Sequence, residues 1–467
     1  MAQPNDSSVQ ITLSQLSGAM QEVYRAQLEA TYFFSGNVST QLIPVSGEAV
    51  VGEGLNIKYK TGSGYSANMT TDFNGPFPTP TNFSVTNRKL RFSESNPAAN
   101  DFARLGMTAR VSHAVLNGMT GQPGAIVDFA QEVLSDLRAD GQFILAMQMN
   151  LPRTGLLGTI GVPRVNDGVL YADCTSGALP AGTTRIRVVV TGPISRFQRG
   201  MLVDFYNGNT LVANSVRVTD ARPEDNSVGF ERSELTLAAN LNAVATGQAL
   251  YFRDSKDANS WSLGSWFSQP TAGEQFIFGV DRTTFDNRFL IPTRFVPSGA
   301  TSASPVQISR SHFDALALAM GQNTDDASAA YKAQAHPAVI ETLRNQIGEA
   351  SYSVVANTAE NQTRYGQFGS RGVVWQSPAL GDIMLISDPL APTTQVRVIK
   401  PDTWKRHTAV ASGVQFLPGN TSGIWSRLPA PTPNTGGSMF YQCEAFANIA
   451  DVCSKPQLNG YIDFIRA

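Results

Sequence analysis

The sequence predicts an α+β chain of several structural units, and three observations carry that prediction. Its 467 residues are about three times the ~150 of a single domain. Residues 121–149 hold one long stretch of helical apolar period. Residues 165–258 hold none, only short alternating runs punctuated by turn dipeptides. Helix and strand are therefore segregated along the chain rather than regularly alternated.

The first expected element is an amphipathic helix over 13–32. Thr12 and Gln15 make a capping-box pattern, and Leu13, Leu16, Met20, Val23 and Leu28 form one apolar stripe. In 46–100, Leu55, Ile57 and Tyr59 alternate with Asn56, Lys58 and Lys60 before the turn Gly62-Ser63-Gly64. This reads as a β-hairpin with two unlike faces. The Pro-rich FNGPFPTPTNF follows, and NRKLRFS regains strand character. Such an arm projects, and because a lone hairpin is marginal in water it requires a partner surface.

The strongest helix covers 121–149. Pro123 suits its first turn, and Ile126, Phe129, Val133, Leu137, Ile144 and Leu145 share a stripe. Some 25 residues span about 38 Å, with Gly141 inside at a cost of ~1 kcal/mol and Asn150-Leu151-Pro152 at the end. The 165–258 segment then reads as a small barrel or sandwich. Ile186, Val188 and Val190 line one face of a strand, and Asn207-Gly208 marks a hairpin. From 270 to 400 the pattern is mixed. FDNRFLIPTRF is strand-like, HFDALALAMG stops at Gly321, and HPAVIETLRNQI opens on Pro337. Further strands run to Ala467.

Composition narrows the function. Charged residues make up only 15%, with 35 Lys plus Arg against 37 Asp plus Glu for a net charge of −2. The usual share is about 25%, so much of the surface is expected to face other protein. The balance argues against bulk electrostatic grip on nucleic acid, and Arg185, Arg187, Arg196 and Arg199 read as a solvated strand edge. Cys174, Cys443 and Cys453 lack CxxC spacing and read as buried thiols of a reducing compartment. MAQPNDSSVQ lacks signal-peptide character, and no apolar run nears the ~20 residues of a membrane span. A non-secreted chain with no membrane partner is expected.

Catalytic patterns are missing: no HExxH, GxSxG or Walker A is present. His113, His312, His336 and His407 have no ligand spacing, and His312 and His336 fall at helix starts. Asn323, Asp325 and Asp326 read as helix capping. The expectation is no enzyme, no cofactor and no metal.

Several of these segments together resemble the major capsid proteins of tailed bacteriophages with the Hong Kong 97-type fold. In 109–161, a strand and Gly-rich turn lead into a long "spine" helix and then Thr154-Gly155-Leu156-Leu157-Gly158. Leu151-Pro152-Arg153 stands where a Gly-Asp-Gly-type lead-in is more usual. A second piece is HPAVIETLRNQI followed by Leu380-Gly381-Asp382-Ile383 and Ser387-Asp388-Pro389. A third is Phe197-x-x-Gly200-Met201-x-Val203-Asp204, similar to inserted barrels of some capsid proteins.

The resemblance spans about 50–460 by order of elements. It implies an N-terminal arm (1–45), an extended loop (46–100) and a peripheral domain with the spine helix (101–164). An inserted β-domain (165–258), an axial domain (259–400) and C-terminal strands completing both domains (401–467) follow. Inter-subunit contacts are implied for Leu55, Ile57, Lys58, Tyr59, Lys60 and Tyr65 of the loop and for Leu16, Met20 and Val23 of the arm. Ile126, Phe129, Val133, Leu137 and Gly141 would form the core and hinge of the spine. The implied role is self-assembly, as hexamers and pentamers, into an icosahedral head assembled in the bacterial host cytoplasm. A separate scaffolding protein, a portal protein and a decoration protein are the implied partners, and packaged double-stranded DNA would be contacted weakly and non-specifically. The runner-up is a tail or decoration protein binding glycan through β-module aromatics such as Tyr206, Phe230, Tyr251 and Phe252.

Overall fold

The computed structural model of the chain describes residues 38–46, 54–60, 85–91, 101–112, 123–161, 186–223, 232–238, 246–259, 261–270, 274–284, 289–302, 304–321, 331–347, 373–377, 379–408, 415–416, 425–428 and 440–466. The helix expected over 13–32, with Leu16, Met20 and Val23, lies outside them, as does Tyr65. The first part comprises α1 (Val38–Gln41), β1 (Gly54–Lys60), β2 (Val85–Arg91), β3 (Ala103–Ser112) and α2 (Pro123–Asn150). Next come β4 (Leu156–Thr159), β5 (Ile186–Thr191), β6 (Leu202–Asn207), β7 (Thr210–Pro223), β8 (Arg232–Leu237) and β9 (Ala249–Phe252). A mixed region holds α3 (Leu263–Trp266), β10 (Phe276–Ile277), β11 (Val280–Asp281), β12 (Thr293–Phe295), β13 (Val306–Gln307), α4 (Arg310–Gly321), β14 (Tyr331–Ala335), α5 (Pro337–Ile347), β15 (Val373–Ser377), β16 (Gly381–Ser387) and β17 (Gln395–Ile399). The chain closes with β18 (Trp404–Thr408), β19 (Gln415–Phe416), β20 (Trp425–Leu428), β21 (Phe440–Cys453), β22 (Gly460–Asp463) and β23 (Ile465–Arg466).

Helix α2 starts on Pro123 and runs through Gly141 without a break, about 42 Å at 1.5 Å per residue. Pro152 stops it. Its last carbonyls do not go unpaired: the Asn259 amide donates to Gln148 O (2.9 Å), Leu151 O (3.3 Å) and Pro152 O (2.8 Å). Leu137, Leu145 and Met149 join Trp261, Trp266, Trp404 and the inner side of β3 and β21 in the first core. Gly264 permits this contact, because a Cβ there would lie 2.1 Å from Leu151 O. The long strand β21 pairs with β3 from Phe440↔Ser112 to Ile449↔Ala103 and carries β18, β19 and β20.

Strands β4-β9-β6-β7-β8-β5 form one six-stranded sheet. An Ile160↔Val190 bridge joins its two edges and closes a barrel, which removes the open edge such a sheet would expose. Gly158 sits at the seam, where a Cβ would meet Thr191 O at 2.0 Å. The barrel therefore begins at Leu156, ahead of the expected boundary at 165, and Leu156–Gly158 belongs to it rather than to the end of the helix. Its core takes in Met147 and Leu151 of the α2 terminus. Two finer expectations change. Val189 is buried alongside Val188 and Val190, so β5 does not alternate strictly. Asn207 pairs with Thr210, which places the turn on Gly208-Asn209, with Gly208 at φ +59°.

The third body is a six-stranded sheet ordered β12-β22-β17-β14-β16-β15. Ile383 and Leu385 of β16 face the core under α4 and α5, whereas Met384 and Ile386 face the first core. Burial on both faces accounts for the uninterrupted apolar run Ile383–Ile386. Trp261, Trp266, Phe267, Ile277, Phe278 and Leu290 pack into the first core with α2, so the boundary expected at 259 moves toward β12. Among the described residues of FDNRFLIPTRF only Thr293–Phe295 is strand. The C-terminal strands serve both bodies, β21 beside β3 and β22 between β12 and β17.

The β1–β2 pair stands apart, as a two-stranded sheet of its own. Its register corrects the expected hairpin. Among the described residues the partner of β1 is Val85–Arg91, with Leu55 opposite Leu90 and Lys58 opposite Asn87, while Gly62-Ser63-Gly64 lies outside them.

Candidate functional site at the foot of the long helix

The three bodies and the N-terminal segment meet at Asn150, the last residue of α2. Its Nδ2 donates to Ser39 Oγ of α1 (2.7 Å) and to Ala146 O (3.0 Å). Its Oδ1 accepts from Gln334 Nε2 of β14 (2.9 Å) and Arg397 Nη1 of β17 (3.0 Å). Asp388, just beyond β16, accepts from Gln334 Nε2 (2.5 Å), from the Ser39 hydroxyl and from Leu390 N (2.9 Å). Ser195 of the barrel donates to Pro389 O. All of Ser39, Asn150, Gln334, Asp388 and Arg397 are buried. A buried polar group left unpaired costs about 1–3 kcal/mol, so this network fixes how the bodies sit together.

Charge at the junction is unevenly matched. Burial pushes the Arg397 guanidinium down to about 9, with Arg196 adding to the effect and Asp388 opposing it. Burial also lowers Arg196 to about 10, again opposed by Asp388. His336 precedes α5 and its Nδ1 accepts from Ala338 N (3.3 Å). Burial brings His336 down to about 4, Asp388 pulling up and Arg196 pulling down. A histidine whose folded value lies below its unfolded ~6.5 takes its proton later in the folded state. Stability therefore falls as pH drops from about 6.5 to about 4, by at most about 3 kcal/mol. His336→Asn, which keeps an acceptor for Ala338 N, is expected to flatten that slope in urea titrations between pH 4 and 6.5. An unchanged slope would assign the acid sensitivity elsewhere.

A second buried pair ties the first core to α1. Arg406 and Asp451 face each other across β18 and β21, with Nε–Oδ1 2.8 Å and Nη2–Oδ2 3.3 Å, and both are 0% exposed. Arg406 Nη1 also donates to Thr40 O (3.2 Å).

Two surfaces carry opposite charge. β1 and β2 together hold Lys58, Lys60, Arg88, Lys89 and Arg91 and no carboxylate. Cross-strand partners share a face, so the register groups Lys58, Lys60, Lys89 and Arg91 on one face of the ribbon. Leu55, Ile57, Tyr59 and Leu90 fall on the other, together with Arg88 opposite Ile57. On α2, Asp128, Glu132, Asp136 and Asp140 recur every four residues, with Arg138 the sole cation of the helix. Glu132, Asp136 and Asp140 are exposed.

Of the other singled-out residues, Lys58, Tyr59 and Lys60 lie in β1, and Ile126 and Phe129 lie in the first turns of α2. Val133 is half-buried, and Leu137 and Gly141 are buried. Cys443 and Cys453 are buried free thiols, both pushed up to about 12 by burial. Tyr206 and Tyr251 come together edge-to-face at 5.3 Å, but Lys256 lies over both rings (5.4 and 5.9 Å) and Tyr251 is buried. That pair offers no open stacking platform for a sugar. Among the described residues no group of three His, Cys, Asp or Glu could hold a metal ion, and no helix is long and apolar enough to cross a membrane.

No family model and no curated protein matches the chain. Solved structures do. The capsid asymmetric unit of cyanophage A-1(L) is 10% identical, with 91% of this chain and 92% of that chain covered at a TM-score of 0.46. The satellite phage P4 procapsid including its size determination protein is 9% identical, with 100% and 93% covered at 0.37. The capsid of the Myoviridae phage XM1 is 8% identical, with 91% and 90% covered at 0.36. The chain is similar to phage capsid proteins.

Proposed function

We propose that this chain is the major capsid protein of a tailed phage, a structural subunit that self-assembles into the icosahedral head. The observation that carries the reading is the β1–β2 ribbon, a separate two-stranded sheet whose register groups four cations, Lys58, Lys60, Lys89 and Arg91, on one face. A two-stranded sheet is marginal on its own in water, so the ribbon needs a partner, and its cationic face calls for an acidic one. The acidic row of α2 on a neighbouring copy supplies one. Cations two residues apart on a strand recur every ~6.7 Å, and carboxylates four apart on a helix every ~6 Å. The ribbon of one copy then lies along the long helix of the next, a heterologous contact that closes by rotation.

In this reading α2 is the spine helix, with Ile126, Phe129, Val133 and Leu137 on its packed side and Gly141 the point of bending. The barrel is an insert on the peripheral body, and the α4–α5 sheet is the axial body. Many modest contacts per subunit sum over the closed shell. Hexamers and pentamers of this chain, a scaffolding protein, a portal, a decoration protein and loosely held double-stranded DNA are the partners. Assembly takes place in the bacterial cytoplasm. No catalytic step is assigned.

Deletion of residues 50–75, which removes β1, tests the ribbon's role. The expected product is soluble and folded by circular dichroism but sediments as free subunits. Normal particles from the deleted chain would contradict the reading.

A further inference from the structure

Beside the Asn150 junction a cleft of about 760 Å³ opens between the barrel and the third body. Four arginines line it and no carboxylate does: Arg196 and Arg232 from the barrel, Arg397 and Arg466 from β17 and β23. Thr191 and Ser268 add hydroxyls. Arg397 is 2% exposed and held by Asn150 and Gln395, so its position is set before any ligand arrives. The Arg196 Nη1 donates to Leu157 O (3.2 Å), while its Nε is sealed from solvent without a hydrogen-bond partner.

The carboxylates whose charge reaches Arg397 are Asp388, Asp463 and Glu274, the last shared with Arg282. Asp463 is paired with Arg294 (2.8 Å), and Asp388 is bonded by Ser39 and Gln334. None of these carboxylates lines the cleft, whose wall presents four guanidinium groups. Burial depresses both Arg196 and Arg397, and Asp388 opposes it in each.

We propose that this cleft binds a small polyvalent oxyanion, which bridges the barrel to the third body through guanidinium forks. Guanidinium matches phosphate and carboxylate oxygens in bidentate geometry. Because two arginines come from each side, an anion bound there ties the barrel down and raises stability in proportion to its occupancy. A volume of about 760 Å³ is ample for a di- or triphosphate or a polycarboxylate.

Calorimetric titration of the full chain with pyrophosphate and with citrate, each against sodium chloride at equal ionic strength, tests the site. One equivalent is expected to bind and to raise the thermal midpoint. Tighter pyrophosphate assigns the phosphate class, and tighter citrate the carboxylate class. Arg466 is exposed, so Arg466→Gln is expected to fold and to weaken binding about tenfold, the loss of one charge-assisted contact. Arg232→Gln gives an independent second reading from the barrel side. No binding beyond the chloride control, or equal binding by wild type and both variants, would overturn the proposal.

Discussion

Asp451→Ala is expected to destabilise the chain by about 3–5 kcal/mol, the cost of stranding a buried charge whose partner has been removed. Arg406 is fully buried, and its contacts to Asp451 are the bidentate ones that neutralise it. The loss reaches beyond the β18–β21 pair, because Arg406 also holds Thr40 O and so the segment leading from α1. Urea denaturation followed by tryptophan fluorescence is the check, with Trp404 and Trp266 in the same core as reporters. Arg406→Met combined with Asp451→Leu is expected to recover most of the loss, since a buried pair replaced by apolar residues of like volume is often neutral. A single variant as stable as the wild type would mean that water reaches the site.

Reversing the ribbon charge is expected to abolish assembly. The change is Lys58→Glu, Lys60→Glu, Lys89→Glu and Arg91→Glu together. Each exposed ion pair contributes only about 0.2–1 kcal/mol, but every subunit repeats the whole set and the reversed ribbon faces a like-charged helix. Asp128→Lys, Glu132→Lys, Asp136→Lys and Asp140→Lys on α2 are expected to restore particles when combined with the reversed ribbon. Restoration is the discriminating result, because a folding defect would not respond to it. Raised salt should weaken the wild-type contact and relieve the reversed one. Failure of the second set to restore particles, with both variants folded, would move the ribbon's partner away from α2.

Periodic features were legible in the sequence. Pro123 and Asn150-Leu151-Pro152 bracket α2 as expected, Arg310–Gly321 stops at Gly321 but begins two residues ahead of His312, and Pro337–Ile347 opens on Pro337. Pairing partners were not. β1 meets β2 across 61–84 rather than across the nearer glycine turn, because glycines permit a turn without requiring one. The barrel's first strand was hidden in the Gly-rich stretch after α2, where Gly158 serves a close seam rather than a loop. The junction was least visible. Ser39, Asn150, Gln334, Asp388 and Arg397 are ordinary polar residues spread along the chain, and only their shared burial makes them a network. Asn150 at a helix end and Asp388 before a proline were the available signals. The acidic row on α2 carries no signal by itself, since its four-residue period gains meaning only beside a cationic ribbon.

The central claim is that this chain builds a closed shell, and imaging addresses it directly. The full-length chain, expressed alone and with a scaffolding protein, is to be fractionated by sedimentation and viewed by cryo-electron microscopy. Isometric particles tens of nanometres across are expected, with β1–β2 of each subunit lying along α2 of its neighbour. A chain that stays monomeric at every concentration, with and without the scaffold, would contradict it.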